Sequence, residues 1–168
     1  NALLDGLSEI GGGRSRRVSS WDTRGGNRDY IVLRPGETTT LAQIEGPGRI
    51  AHMYCIVLDP SFLSYRRMVL RIWWDGESTP SVEVPLGDFF CVSHCLPRPV
   101  QSLLVTVNPG NAGDWCPVSY GLNCYFPMPF ARGARITLEH EGGERGAAYP
   151  LMVWYHVDWE QAEEPPRS

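Results

Sequence analysis

Between Asp29 and Glu160 the chain is a succession of short β-forming runs cut by Gly- and Pro-rich turns. No other feature constrains the fold as tightly. "DYIVLRPGETTTLAQI" holds a β-rich run, a Pro-Gly turn and a Thr-rich run, which predicts a hairpin or a corner. "RIAHMYCIVL" and "RRMVLRIWW" are longer runs of the same kind, and Asp75-Gly76 supplies a turn before the alternating "PSVEVPL". "SLLVTVN", "LNCYFPM", "ARITLEH" and "LMVWYHVDW" complete the series. About eight or nine strands with no second helix predict an all-β, antiparallel sandwich, with jelly-roll topology the leading architecture. Helical spacing occurs only at the start, where Ala2, Leu3, Leu4, Leu7 and Ile10 follow Asn1 and precede a Gly11-Gly12-Gly13 stop. The expected organisation is a helix and Gly-rich linker over 1–13, a single jelly roll over 14–160, and an acidic, Pro-rich exit over 161–168.

A chain of 168 residues with 42% apolar content can bury a sizeable core. Its apolar runs fall short of the ~20 residues that span a bilayer, so no membrane partner is expected. The chain shows no basic-then-apolar leader, and the compartment stays open between cytoplasm and secretion. All fifteen basic residues are Arg, yet the net charge is −4, which argues against nucleic acid as a partner. Five cysteines (Cys55, Cys91, Cys95, Cys116 and Cys124) are odd in number, so free thiols are expected over a disulfide framework. The Cys91–Cys95 pair lacks the spacing of common zinc sites, and the His residues are scattered along the chain. No metal and no cofactor are therefore expected; stoichiometric zinc in washed protein would overturn this. His94 has no visible third group to orient it for nucleophilic catalysis. His52 and His156, inside β runs, read as core or sheet-face residues.

Several long phrases occur in a fixed order: "GRSRRVSSWDTRGGNRDY", "WWDGESTPSVEVPLGDFF" and "GLNCYFPMPFARGARITLEHE", closing in "VWYHVDWE". From about Ala2 to Glu160 they resemble the N-terminal half of glycoside hydrolase family 172. That family includes difructose-anhydride synthase/hydrolases and exo-acting arabinofuranosidases. The resemblance implies tandem jelly rolls, trimeric or hexameric self-assembly, and retaining chemistry on furanosides by a pair of glutamates. Those glutamates belong to the second jelly roll, so no catalytic residue is assigned in this chain. The implied partners are further copies of the chain, a furanoside sugar, and a second jelly-roll domain or chain. The alternative is a non-catalytic jelly roll serving as a building block of a ring, tube or shell.

The phrase "SSWDTRGGNRD" carries the densest set of candidate ligands for such a sugar. Asp22, Asn27 and Asp29 can take hydroxyls, and Trp21 can lie against the C–H face of a furanose ring. The rival reading is that Arg24, Arg28 and the glycines shape a subunit contact. Asp88 and Asn123, each followed by aromatics at a strand end, are further candidate sugar contacts. Most other acids, such as Glu141, Glu163 and Glu164, read as solvated surface.

Overall fold

The computed structural model describes residues 13–59, 63–96, 98–110, 119–142 and 149–165. The expected N-terminal helix, Trp115, Cys116 and the last residues of the tail lie outside the described residues. In chain order the first strands are β1 (Arg14–Ser19), β2 (Ile31–Leu33), β3 (Thr38–Glu45), β4 (Gly48–Leu58), β5 (Met68–Trp74) and β6 (Val82–Pro85). Then come β7 (Val100–Gln101), β8 (Val105–Gly110), β9 (Ser119–Cys124), β10 (Met128–Phe130), β11 (Gly133–His140) and β12 (Leu151–Gln161).

These strands form two antiparallel sheets. The larger runs β1-β12-β4-β9-β8-β7, with β2 also against β12 and β10 against β4; the smaller runs β3-β11-β5-β6. The set β1-β12-β4-β9 faces β3-β11-β5-β6, and the chain passes back and forth between them. That is the eight-strand jelly roll. Strands β7 and β8 extend the larger sheet beyond β9.

Between the sheets the inward positions of each strand interdigitate. Ile50 and Val57 of β4, Val153 and Val157 of β12, Leu70 and Ile72 of β5, and Ile136 and Leu138 of β11 are all buried in one cluster. Each such side chain contributes roughly 1.5–3 kcal/mol through removal from water. A register shift between Ile50 and His52 resets the alternation of β4, and from there alternation along β4 and β12 throws His52, Tyr54, Trp154, His156 and Asp158 onto the opposite, outer face of the larger sheet.

Of the two readings of "DYIVLRPGETTTLAQI", hairpin or corner, the structure shows the corner, because β2 pairs with β12 in one sheet and β3 with β11 in the other. One feature departs from the sequence reading. Two single-turn helices, α1 (Ser64–Arg67) and α2 (Leu86–Phe89), interrupt what was read as strand and turn alone. They are too short to show a 3.6-residue apolar period, which hides them from pattern reading. Four cysteines (Cys55, Cys91, Cys95 and Cys124) are free thiols, and burial pushes that of Cys55 up to about 12.

Candidate functional site

The loop after β1 closes on itself through its own polar side chains. Ser20 Oγ donates to the carbonyl of Asp29 at 2.7 Å, and the Asp29 carboxylate accepts the N–H of Asp22 at 2.7 Å. The Asp22 carboxylate in turn accepts the N–H groups of Arg24 (2.9 Å), Gly26 (2.9 Å) and Arg28 (3.3 Å). Desolvation opposes ionisation of Asp22, but these backbone donors, that of Arg24 foremost, hold its carboxyl below the usual range. The two glycines serve different ends. Gly25 takes φ 73, whereas a Cβ on Gly26 would lie 2.8 Å from Asp22 Oδ2. Asn27 also adopts a positive φ, 56, and is exposed.

This loop forms one wall of a cleft of about 200 Å³ on the outer face of the larger sheet. Trp21 and Asp29 line it from the loop, Arg17 from β1, Tyr54 from β4, and Trp154 and His156 from β12. Trp21 stands on the rim, 63% exposed, and Tyr30 packs at 5.1 Å against Trp154.

Next to the cleft lies a polar cluster that spans four strands. Arg17 grips Asp158 with two hydrogen bonds, Nε to Oδ1 at 2.5 Å and a terminal nitrogen to Oδ2 at 2.9 Å. His52 Nδ1 is 3.4 Å from Asp158 Oδ2 and 3.3 Å from His156 Nε2. On its far side, His52 Nε2 is 3.1 Å from Asn123 Oδ1, and Asn123 uses its Nδ2 to donate to the Gly121 carbonyl. Rings enclose the pair: Tyr125 stacks on His52 at 4.4 Å and Tyr54 on His156 at 4.8 Å.

The electrostatics follow from this packing. The hydrogen bond from Arg17 is the main reason the Asp158 carboxyl is held below its ordinary value, against the opposing effect of desolvation. Burial lowers His156, and the Arg17 guanidinium pushes it further the same way, so its imidazole is kept neutral.

Of the candidates read from the sequence, Trp21 and Asp29 line the cleft and Asn123 touches His52 beside it. Asp22 sits at the centre of the loop's own hydrogen bonds, and Asn27 is at its exposed turn. Asp88 is elsewhere: it pairs with Arg66 beside a separate hollow formed with Ser93, His94 and Cys95. Sequence reasoning missed Arg17, Tyr54, Trp154, His156 and Asp158. The available signal was alternation in "HMYCI" and "WYHVD", which puts polar and aromatic residues on one face and apolar residues on the other.

Sheet order and cleft together define a jelly roll whose larger sheet presents an aromatic-walled, polar face instead of a plain solvated one. A family model described as GH172 domain-like matches residues 26–153, and the chain belongs to that carbohydrate-active family. No curated protein matches the chain.

Proposed function

We propose that this chain is the N-terminal jelly roll of a retaining furanoside-processing glycoside hydrolase, and that its outer-face cleft holds a furanose ring. The observation that carries the reading is the composition of the cleft: aromatic walls from Trp21, Tyr54 and Trp154, with Asp29, Arg17 and His156 as polar groups. Such walls suit the C–H face of a sugar, and fixed polar groups suit its hydroxyls. The volume, below the ~300–1,000 Å³ of drug-sized pockets, suits a single ring. The family resemblance supplies the furanoside class.

Catalysis needs more than this face offers. A retaining pair places two carboxyls about 5–5.5 Å apart, one of them held protonated. Asp158 is held ionised by Arg17, and Asp29 is committed to the N–H of Asp22. The family resemblance assigns the catalytic pair to the second jelly roll, which leaves ligand positioning to this chain.

Titration of the protein with a panel of fructo- and arabinofuranosides, followed by the indole N–H signals in NMR, tests the reading. We expect shifts at Trp21 and Trp154, and losses of about 1–3 kcal/mol in affinity for Trp21→Ala and Asp29→Ala. Asp22→Ala should weaken binding less directly, by loosening the loop, with faster amide exchange at Gly26 and Arg28. Unchanged indole signals across the panel would sink the sugar reading.

A second reading, self-assembly, draws on exposed aromatic surface. Trp21 and Tyr125 (42% exposed) on the cleft face, and Phe126 (47% exposed), leave large rings open to solvent. Aromatic and Arg-rich surface of this kind is enriched at subunit contacts. A closed trimer or hexamer is the expected form. Sedimentation at micromolar concentration checks it, and a monodisperse monomer would refute it.

A further inference from the structure

Against the absence of metal expected from residue spacing along the chain, we infer that His52, His156 and Asp158 form a Zn²⁺ site on the outer face of the larger sheet, with a fourth position left open for water or a ligand oxygen. The ligand atoms are His52 Nδ1, His156 Nε2 and Asp158 Oδ2. They form a triangle with sides of 3.3, 3.4 and 3.6 Å. A tetrahedral Zn²⁺ with bonds of about 2.0–2.2 Å spaces its ligand atoms about 3.3–3.6 Å apart. The triangle therefore already has the dimensions of one face of that tetrahedron.

Donor set and spacing together select the metal. Two imidazoles and one carboxylate exclude Ca²⁺ and Mg²⁺, which call for oxygen ligands throughout, and suit both Zn²⁺ and octahedral Fe²⁺. The 3.3–3.6 Å spacing matches tetrahedral Zn²⁺, since neighbouring donors on an octahedral ion lie only about 3.0–3.1 Å apart. Among the described residues the cluster comprises these three donors, and three protein ligands with one vacant position are the arrangement of an open zinc site.

The surroundings orient each donor. Asn123 directs its amide nitrogen to the Gly121 carbonyl, so its Oδ1 faces His52 Nε2 and accepts that N–H. His52 Nδ1 is then the unprotonated nitrogen, aimed at the other two donors. Stacking of Tyr125 on His52 and of Tyr54 on His156 limits rotation of both rings. Arg17 occupies Oδ1 and one side of Oδ2 of Asp158, and a carboxylate oxygen retains a second lone pair for a metal. His156 also lines the 200 Å³ cleft, so the ion would sit beside that cleft. The site does not depend on the sugar reading; it stands on donor geometry alone.

The test begins with protein stripped by a chelator and titrated with ZnCl₂ and CoCl₂. The expected result is one ion per chain, with the intense visible bands of tetrahedral Co²⁺. No sulfur-to-cobalt charge transfer should appear, which separates this site from the free thiols. His52→Ala, His156→Ala and Asp158→Asn should each weaken Zn²⁺ binding by at least about 100-fold, and Asn123→Ala by about 10–100-fold. His94→Ala, on an exposed turn remote from the cluster, should change nothing. Circular dichroism without metal confirms that each variant is folded. An independent readout needs no variant: Zn²⁺ should shift the ring signals of His52 and His156 in NMR and leave those of His94. Sub-stoichiometric or octahedral cobalt, binding that survives loss of both histidines, or a thiolate signature would each overturn the proposal.

Discussion

Gly48→Ala is expected to destabilise the protein by about 3 kcal/mol, although it adds a single methyl group. Gly48 opens β4 and is buried where three strands meet, paired with Gln161 of β12 on one side and Phe130 of β10 on the other. A Cβ there would fall 2.5 Å from the carbonyl oxygen of Glu160 and 2.9 Å from Phe130 Cζ. The first obstacle is backbone held in a ladder, and the second is a ring that is 2% exposed and packed between Trp74 and Trp159. Neither can withdraw without breaking pairing or core. Thermal unfolding should show Tm falling by roughly 6–12 °C for a chain of this size. Adding Phe130→Leu should relieve only the ring clash, so a double-mutant cycle should show coupling while most of the loss remains. A Tm within a degree or two of wild type would mean that the junction is looser than described.

Asp75→Ala is expected to cost about 2–3 kcal/mol, through a different mechanism. Asp75 and Gly76 take φ 52 and 83 in the turn after β5, which closes with Glu77 N–H donating to the Trp74 carbonyl at 2.9 Å. Positive φ at both central positions marks a type I′ turn, which Asp-Gly favours. The Asp75 carboxylate then reaches across to the connection before β11. Its Oδ1 accepts the N–H groups of Ala131 (2.9 Å), Arg132 (2.6 Å) and Gly133 (3.1 Å). Removing it strands three consecutive backbone donors.

The same carboxylate makes a pH prediction. Desolvation works to raise the Asp75 carboxyl, but the backbone donors and the Arg132 charge outweigh it and leave it below 3.8. A carboxyl lowered by folding stabilises the protein fully above its unfolded value, near 3.8. That contribution fades as pH falls through the lower native value. Wild type should therefore lose stability on acidification below about pH 4 faster than Asp75→Ala does. Parallel acid profiles for the two proteins would rule out the charged pin.

Much of the fold was legible because apolar alternation and turn chemistry are local. "RIAHMYCIVL" became β4, "LMVWYHVDW" became most of β12, and "ARITLEH" became β11. Asp75-Gly76 turned where an Asp-Gly pair should. The loop phrase was also legible in part. Its crowding of Asp, Asn and Gly signalled an ordered loop, and the structure gives the reason: Asp22 binds three amides, and only glycine at position 26 leaves room for it.

The outer-face cluster was not legible, for a reason of distance along the chain. His52 and His156 are 104 positions apart, and His52 and Asp158 are 106 apart. Motif spacing detects ligands that share a turn or a helix, and these share only a sheet face. The sequence by itself determined the all-β class, the strand segments and the alternation that sends His52, Tyr54, His156 and Asp158 outward. Only tertiary structure decided that β12 lies between β1 and β4, the pairing that brings Arg17, Asp158 and both histidines together. That choice rests on non-local burial: β12 carries Val153 and Val157 into the same core as Ile50 and Val57 of β4. No local run of residues encodes such a partnership, because the free energy that selects it is gained only when the two sheets close on each other.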